Sequence, residues 1–163
     1  MDDARSAPGA VTTISAAALS EETRRRYFAK VQQNPNPGAC WIWTGAISGR
    51  GHGRFWLGGG KVVIAHRVAW AIAHPGAELP QLVSHACDNP LCQNPDHLEA
   101  STSRGNRQDW AARRHRLGGA LRDERGARGR AREIRDTARA GDDVSAAAAA
   151  GVPAIDRDQL PLW

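Results

Sequence analysis

The sequence is poor in cysteine and lacks long apolar runs. Its three cysteines are an odd number for a disulfide framework, which favours reduced thiols in a cytoplasm. No stretch is long and apolar enough to be predicted to span a membrane. Residues 1–20 hold no charged start followed by a strongly apolar stretch, so we expect no signal peptide. The length of 163 residues predicts one domain with tails.

Large apolar side chains are also few. Apolar residues make up 41% of the chain, but much of this share is alanine. We therefore expect the core to come from few residues, among them the six tryptophans. A small core is where a structural metal contributes most, because the free energy of metal binding becomes folding free energy.

Two of the three cysteines fall in one stretch, SHACDNPLCQNPDHL. Cys87, Cys92 and His97 follow one another at C-x4-C-x4-H spacing, and short loops of this kind let one stretch wrap a tetrahedral zinc ion. A fourth ligand must come from elsewhere, and Cys40 is the first candidate because it is the remaining cysteine. The alternative is a set of buried thiols beside a surface histidine, grouped in this way by chance.

His85 lies two residues before Cys87 and is spare if Cys40 completes the metal site. An imidazole that the metal does not need is a candidate general base, because its pKa lies close to working pH. In the other interpretation, His85 is the fourth ligand and Cys40 is a core residue. The spacing leaves both interpretations open.

With Asn106 nine residues after His97, the stretch resembles the HNH (His-Me finger, ββα-metal) endonucleases, in particular the zinc-bound branch that includes phage and homing-type nucleases. The resemblance runs from Cys40 to Trp110, less than half of the chain. It implies that His85 is the general base, that Cys40, Cys87, Cys92 and His97 bind a structural zinc, that Asn106 binds a catalytic magnesium, and that Asn94 steadies the loop.

The resemblance also implies the reaction, which is hydrolysis of DNA phosphodiester bonds. His85 would take a proton from water, and magnesium on Asn106, or another divalent ion in its place, would stabilise the transition state. Double-stranded DNA is then the partner, and one site could cut both strands only through a homodimer or two binding events. The alternatives are a zinc-stabilised DNA-binding module without catalysis and an assembly protein that zinc merely stabilises.

Positive charge is concentrated in one segment. Residues 104–140 carry 12 arginines and 5 acidic residues, a local net charge of +7. The remainder carries 10 basic and 12 acidic residues, a local net charge of −2. Such a basic block indicates a polyanionic partner. A solvated helix face in an arginine-rich proteome is the alternative.

Local signals in the first half predict a small antiparallel β meander after an N-terminal helix. Ser20 is expected to cap that helix, which ends before the proline-rich residues 34–38. Strand-like runs separated by glycine turns follow. Exposed side chains of such strands can contact DNA, and the candidates there are His52, Arg54 and Lys61. Arg67, on a short helix predicted over 65–74, is a further candidate for a phosphate contact.

The second half predicts a zinc-stabilised ββα-metal core followed by helices. A strand at 82–83 leads to His85, a second covers 98–100, and Ser101 or Ser103 caps the helix that carries Asn106. Helices near 127–140 and 144–150 are similar to a helix-turn-helix tail. The acidic residues after Gly151 depart from that pattern, and packing is the alternative role for the tail.

The expected fold is therefore α+β, with helical extensions at both ends of the core. We divide the chain into a flexible leader (1–19), a nuclease domain (20–116) and a linker with a helical tail (117–163). Leu160, Leu162 and Trp163 form an apolar end that is expected to dock on the rest of the chain.

Overall fold

The computed structural model describes Ile14 and residues 16–159. Most of the predicted leader and the apolar end at Leu160, Leu162 and Trp163 lie outside the described residues. The helices are α1 (Glu21–Phe28), α2 (Ala65–Ala73), α3 (Ser103–Arg113), α4 (Gly126–Ala140), α5 (Val144–Ala149) and α6 (Ala154–Gln159). The strands are β1 (Val31–Gln32), β2 (Ile42–Trp43), β3 (Arg54–Gly58), β4 (Lys61–Ile64), β5 (Leu82–His85) and β6 (Leu98–Ser101). None of the described helices combines the length and apolarity that crossing a bilayer requires.

The first helix begins where the sequence predicts it. Ser20 caps α1 by accepting a hydrogen bond from the backbone amide of Thr23 at 3.2 Å. The helix carries Tyr27 into the core, where its ring centroid lies 5.5 Å from those of Trp43 and Phe55. These three aromatic rings are almost fully buried and form the centre of the core.

Tryptophan contributes less to the core than the composition suggests. Trp43 is fully buried, but Trp56 and Trp110 are 56% and 48% exposed. Trp56 points outward because β3 alternates exposed and buried side chains and sends Phe55 inward. The prediction that the tryptophans build the core is therefore wrong for Trp56 and Trp110. Gly53 lets the Trp43 ring pack on the backbone, since a Cβ there would lie 2.6 Å from the ring.

The described strands form three two-stranded antiparallel sheets, β1–β2, β3–β4 and β5–β6. The predicted meander is therefore confirmed only in its β3–β4 hairpin, because its first strand pairs with β1 instead. One edge of β2 pairs with β1. On the other edge, Ile42 bridges Cys92, and the amide of Trp43 donates to the carbonyl of Leu91 at 2.9 Å. Both edges of β2 are thus occupied, and the β3–β4 hairpin forms a separate sheet. The mixed α+β class is confirmed.

The strands β5 and β6 and the helix α3 follow the predicted order. The strands pair antiparallel, in a register that places His85 opposite Leu98. The N-cap of α3 is Thr102, whose side chain accepts a hydrogen bond from a first-turn amide at 3.1 Å. The predicted caps, Ser101 and Ser103, are wrong because Ser101 is still paired as a strand residue and Ser103 is already helical.

The helices after α3 pack on the rest of the molecule. Ile134 of α4 is fully buried, and Arg139 donates from Nε to the carbonyl of Thr44 at 2.7 Å. As predicted, α4 ends at Gly141, which adopts a left-handed conformation with φ of 83°. α5 covers most of the second predicted helix.

The acidic residues after Gly151 form α6, which is held by a buried carboxylate. Asp156 accepts hydrogen bonds from the Arg122 guanidinium at 2.5 and 2.6 Å and from the amide of Gly118 at 3.1 Å. Asp156 is fully buried. These contacts favour the packing role for the tail over DNA recognition. The division of the chain near residue 117 stays a prediction.

Candidate functional site

Four residues from separate parts of the chain converge on one point. Cys40 precedes β2, Cys87 follows β5, and Cys92 and His97 lie in the segment that leads to β6. One ligand atom of each lies within 4.8 Å of the others. His97 Nδ1 is 3.6 Å from Cys40 Sγ and 3.4 Å from Cys92 Sγ. These separations suit a tetrahedrally coordinated ion with metal–ligand bonds of about 2.0 to 2.3 Å. This cysteine cluster is therefore compatible with zinc.

Three thiols this close together compete for ionisation. Hydrogen bonds from Cys87 and Cys92 lower the pKa of Cys40 to about 3, whereas hydrogen bonds with Cys40 and Cys87 raise the pKa of Cys92. One thiolate therefore disfavours the next. A divalent cation would remove this conflict, which is a second reason why the donor set fits a structural metal ion.

The geometry favours Cys40 over His85 as a neighbour of the other three residues. Cys40 belongs to the cysteine cluster, and His85 belongs to a different group of side chains. Asn94 supports this arrangement, because its amide donates to the carbonyl of Ala39 at 2.9 Å and its oxygen accepts from the amide of Asp96 at 3.0 Å. The loop of the cluster is thus tied to the residue that precedes Cys40.

His85 ends β5 and lies beside the cysteine cluster, with only 9% of its surface exposed. Its Nε2 atom is 3.0 Å from the carbonyl oxygen of Cys92. A carbonyl can only accept a hydrogen bond, so Nε2 carries the proton and Nδ1 keeps a lone pair. Burial lowers the pKa of His85 to about 4. The ring is therefore neutral near pH 7 and able to accept a proton.

Two further imidazoles adjoin His85 and form with it a three-histidine cluster of His52, His66 and His85. The ring centroid of His66 lies 4.4 Å from that of His85, and the ring centroid of His52 lies 5.5 Å from that of His66. One ring nitrogen of each lies within 4.8 Å of the other two. Burial lowers the pKa of both His52 and His66, so these rings are also neutral near pH 7.

The three-histidine cluster lines a pocket of about 660 Å³. Asn106 of α3 lies in the wall of the same pocket, as does the half-exposed Trp110. Five arginines surround it: Arg50, Arg67, Arg107, Arg113 and Arg130. The ring of guanidinium groups around this pocket suits a phosphate-bearing ligand.

The predicted DNA contacts divide into two groups. His52 and Arg67 line the pocket, but the Arg67 guanidinium donates to two backbone carbonyls in the segment before β5, at 3.0 and 3.1 Å. These bonds compete with a phosphate contact. Arg54 and Lys61 are exposed on the β3–β4 hairpin, outside the pocket wall. The structure therefore brings His52 and Arg67 into the same pocket wall as His85 and Asn106. Arg54 and Lys61 lie apart from it.

Sequence reasoning missed His66 and Arg130. His66 lies on the buried face of α2, and a polar residue among apolar ones is the signal that could have revealed it. Arg130 comes from α4, and its Nε lies 3.6 Å from a carboxylate oxygen of Asp123. The Nε and Nη1 atoms of Arg130 are buried and make no hydrogen bond to the described residues. No local signal marks it among the arginines, because its position depends on how α4 packs.

Comparison with known proteins identifies the family. A model described as HNH endonuclease matches residues 63–108, which include His85 and Asn106. The chain is 41% identical to Protein 2.8 of Escherichia phage T7 over 105 residues, covering 63% of this chain and 70% of that protein. It is 35% identical to Protein 7.7 of the same phage over 74 residues, covering 45% of this chain and 56% of that protein. No solved structure matches. The chain belongs to the HNH endonuclease family.

Proposed function

We propose that the chain is a metal-dependent endonuclease that hydrolyses phosphodiester bonds of double-stranded DNA. The observation that carries this proposal is the setting of His85. Its Nε2 donates to the Cys92 carbonyl, which leaves the Nδ1 lone pair for a proton, and its ring lines the pocket that Asn106 and five arginines share. Membership of the HNH endonuclease family supports a nuclease.

In the proposed reaction, His85 acts as the general base. Its Nδ1 takes a proton from the water that attacks phosphorus, while the hydrogen bond from Nε2 to Cys92 keeps the ring in the required tautomer. Arginines of the pocket hold the phosphate in place. Trp110, which lines the same pocket, offers an aromatic face to the nucleotide.

The pocket offers few oxygen ligands for a hard cation. Asn106 supplies a neutral amide oxygen, and Ser84 and Asp88 line the same pocket, although the Asp88 carboxylate lies 3.5 Å from the Arg113 guanidinium. These groups fit a weak magnesium site that needs DNA phosphate oxygens to complete it. When bound, magnesium on Asn106 would offset the charge that develops at the phosphate.

The cysteine cluster has a structural role in this proposal. Four protein ligands leave zinc no open position for a substrate. The ion would instead hold the ends of β5 and β6 in place, with α3 after them, as the ββα-metal core of a His-Me finger. Arg113 adds to this support, since it donates to the carbonyl of Ala86 at 3.5 Å and pairs with Asp88.

Three finer points belong to the same proposal. The nuclease domain extends over residues 20–116, and the protein acts in the cytoplasm of a bacterial or phage-infected cell. A cut through both strands would use a homodimer or two binding events, because one copy of the site serves one strand at a time.

Nicking of supercoiled plasmid tests the proposed function. Zinc-loaded protein should convert supercoiled plasmid to nicked circles when magnesium is added, and should leave it intact in excess chelator. The second candidate, a DNA-binding module without catalysis, is favoured by the arginine-rich segment 104–140. It predicts salt-dependent DNA binding and no nicking with any divalent ion, so the two outcomes separate the candidates.

A further inference from the structure

His66 and His85 are oriented in the same way. Each has its Nε2 atom 3.0 Å from a backbone carbonyl, that of Val83 for His66 and that of Cys92 for His85. Both rings therefore carry a proton on Nε2 and a lone pair on Nδ1. The Nδ1 atom of His66 is buried and has no hydrogen-bond partner among the described residues, and the residue is 4% exposed. A buried acceptor without a partner costs free energy.

We propose that His52, His66 and His85 form a second metal site, separate from the cysteine cluster, that binds a transition-metal dication such as Zn²⁺ or Co²⁺. One ring nitrogen of each residue already lies within 4.8 Å of the other two. Histidines that bind metals characteristically donate their other ring N–H to a carbonyl or carboxylate. His66 and His85 both do so.

The donor set determines which metal fits. Three neutral imidazole nitrogens favour zinc, cobalt, nickel or copper, whereas magnesium requires oxygen ligands. Arginines around the pocket, Arg50 and Arg67 among them, repel any cation. Strong bonds from the metal to the three imidazole nitrogens offset that repulsion. Three protein ligands also leave a coordination position open toward the pocket.

Occupation of this site has a consequence that rests on the proposed function. The Nδ1 lone pair of His85 cannot bind a metal ion and accept a proton from water at the same time. A transition metal on the three-histidine cluster therefore blocks the general base. Free Zn²⁺ would inhibit cleavage even though zinc in the cysteine cluster stabilises the fold.

Cobalt binding tests the site without reference to activity. Protein that already holds one zinc per chain in the cysteine cluster should bind one further Co²⁺. The absorption spectrum of the cobalt-loaded protein should lack the intense near-ultraviolet band of thiolate ligation. His52→Gln should weaken this binding at least about tenfold, and so should His66→Gln. The control is His74→Gln, because His74 lies on the far end of α2 and outside both clusters, and it should bind Co²⁺ like the wild type.

The second site would be overturned if no additional Co²⁺ were bound, or if His52→Gln left the binding unchanged. A thiolate band would overturn it as well, because the cobalt would then be in the cysteine cluster. His52 is the safer variant, since it is only half-buried and its ring makes no hydrogen bond to the residues described here.

Inhibition is measured separately, in the nicking assay with magnesium present. The free Zn²⁺ concentration that halves the rate should rise at least about tenfold in His52→Gln, relative to the uninhibited rate of the same variant. Equal inhibition of both proteins would overturn the regulatory role of the site. If no nicking occurs under any condition, the proposed function fails, whereas the cobalt result still decides the metal site.

Discussion

The Nε2 atom of His85 lies 3.0 Å from the carbonyl oxygen of Cys92, so the candidate base is joined to a member of the cysteine cluster. This hydrogen bond fixes the tautomer of His85 from within the loop that the cluster holds together. The order of that loop and the readiness of the base are therefore coupled. In the proposed mechanism, loss of a metal from the cluster would misplace the carbonyl that orients the ring, although that metal takes no part in the reaction.

Replacement of Cys87 by serine should remove the metal and unfold the domain. Structural zinc contributes on the order of 10 kcal/mol of folding free energy, which is comparable to the whole stability of a small domain. Metal content by atomic absorption and far-ultraviolet circular dichroism would show both losses. His74→Ala should keep its zinc and its spectrum. A folded Cys87→Ser protein with full metal content would mean that the cluster is not a zinc site.

Replacement of Asn106 by alanine should lower magnesium-dependent nicking by about 100-fold, since one electrostatic contact to the transition state is lost. The fold should be unaffected because Asn106 is exposed on α3. Gln108→Ala is the matched control, an exposed amide on the same helix that does not line the pocket. Equal rates for the two variants would remove Asn106 from the site.

Replacement of Arg130 by methionine should weaken DNA binding and reduce the slope of log affinity against log salt by about 1. Two buried nitrogens of the guanidinium, in the pocket wall, make no hydrogen bond to the described residues, and a phosphate would supply one. Arg128→Met, at an exposed position of the same helix outside the pocket, should change affinity less. An unchanged salt slope for Arg130→Met would show that this side chain only supports the fold.

Replacement of Asp156 by asparagine should lower the melting temperature, because the Arg122 guanidinium loses its charged partner. Hydrogen bonds from Arg122 lower the pKa of Asp156. The stability that this carboxylate contributes is therefore fully present above its unfolded pKa of about 4 and is lost as the pH falls through the folded pKa. The difference in melting temperature between wild type and variant should shrink on going from pH 7 to pH 3.

Asp158→Asn is the control for that series, because Asp158 is exposed on the same helix, and its effect should be small. A difference for Asp156→Asn that persists unchanged at acidic pH would show that packing of α6, rather than the charge, accounts for the loss.

Local signals sufficed for much of the fold. The cap at Ser20, the glycine that ends α4 and the strand that leads to His85 all follow from residues within a few positions of each feature. The pairing of β2 did not, because Ile42 meets Cys92 across 50 residues of sequence. A meander was the natural expectation from short strands and glycine turns, but the segment around Cys92 occupies the edge of β2 that β3 would have used.

Local sequence likewise predicted only part of the candidate site. The spacing of Cys87, Cys92 and His97 marks the loop directly, since short intervals let one stretch of chain wrap an ion. The tertiary structure was needed to show that Cys40, rather than His85, lies with these three residues. His66 and Arg130 reach the pocket only through the packing of α2 and α4. A polar residue among apolar ones marks His66, whereas no local signal marks Arg130.

The most direct test of the account compares zinc content and nicking rate in wild type and His85→Ala. The variant should keep one zinc per chain and its fold but lose magnesium-dependent nicking, because the base is gone and the cysteine cluster is intact. Loss of zinc would make His85 a ligand of the structural metal. Retention of zinc with undiminished nicking would show that His85 is not the base.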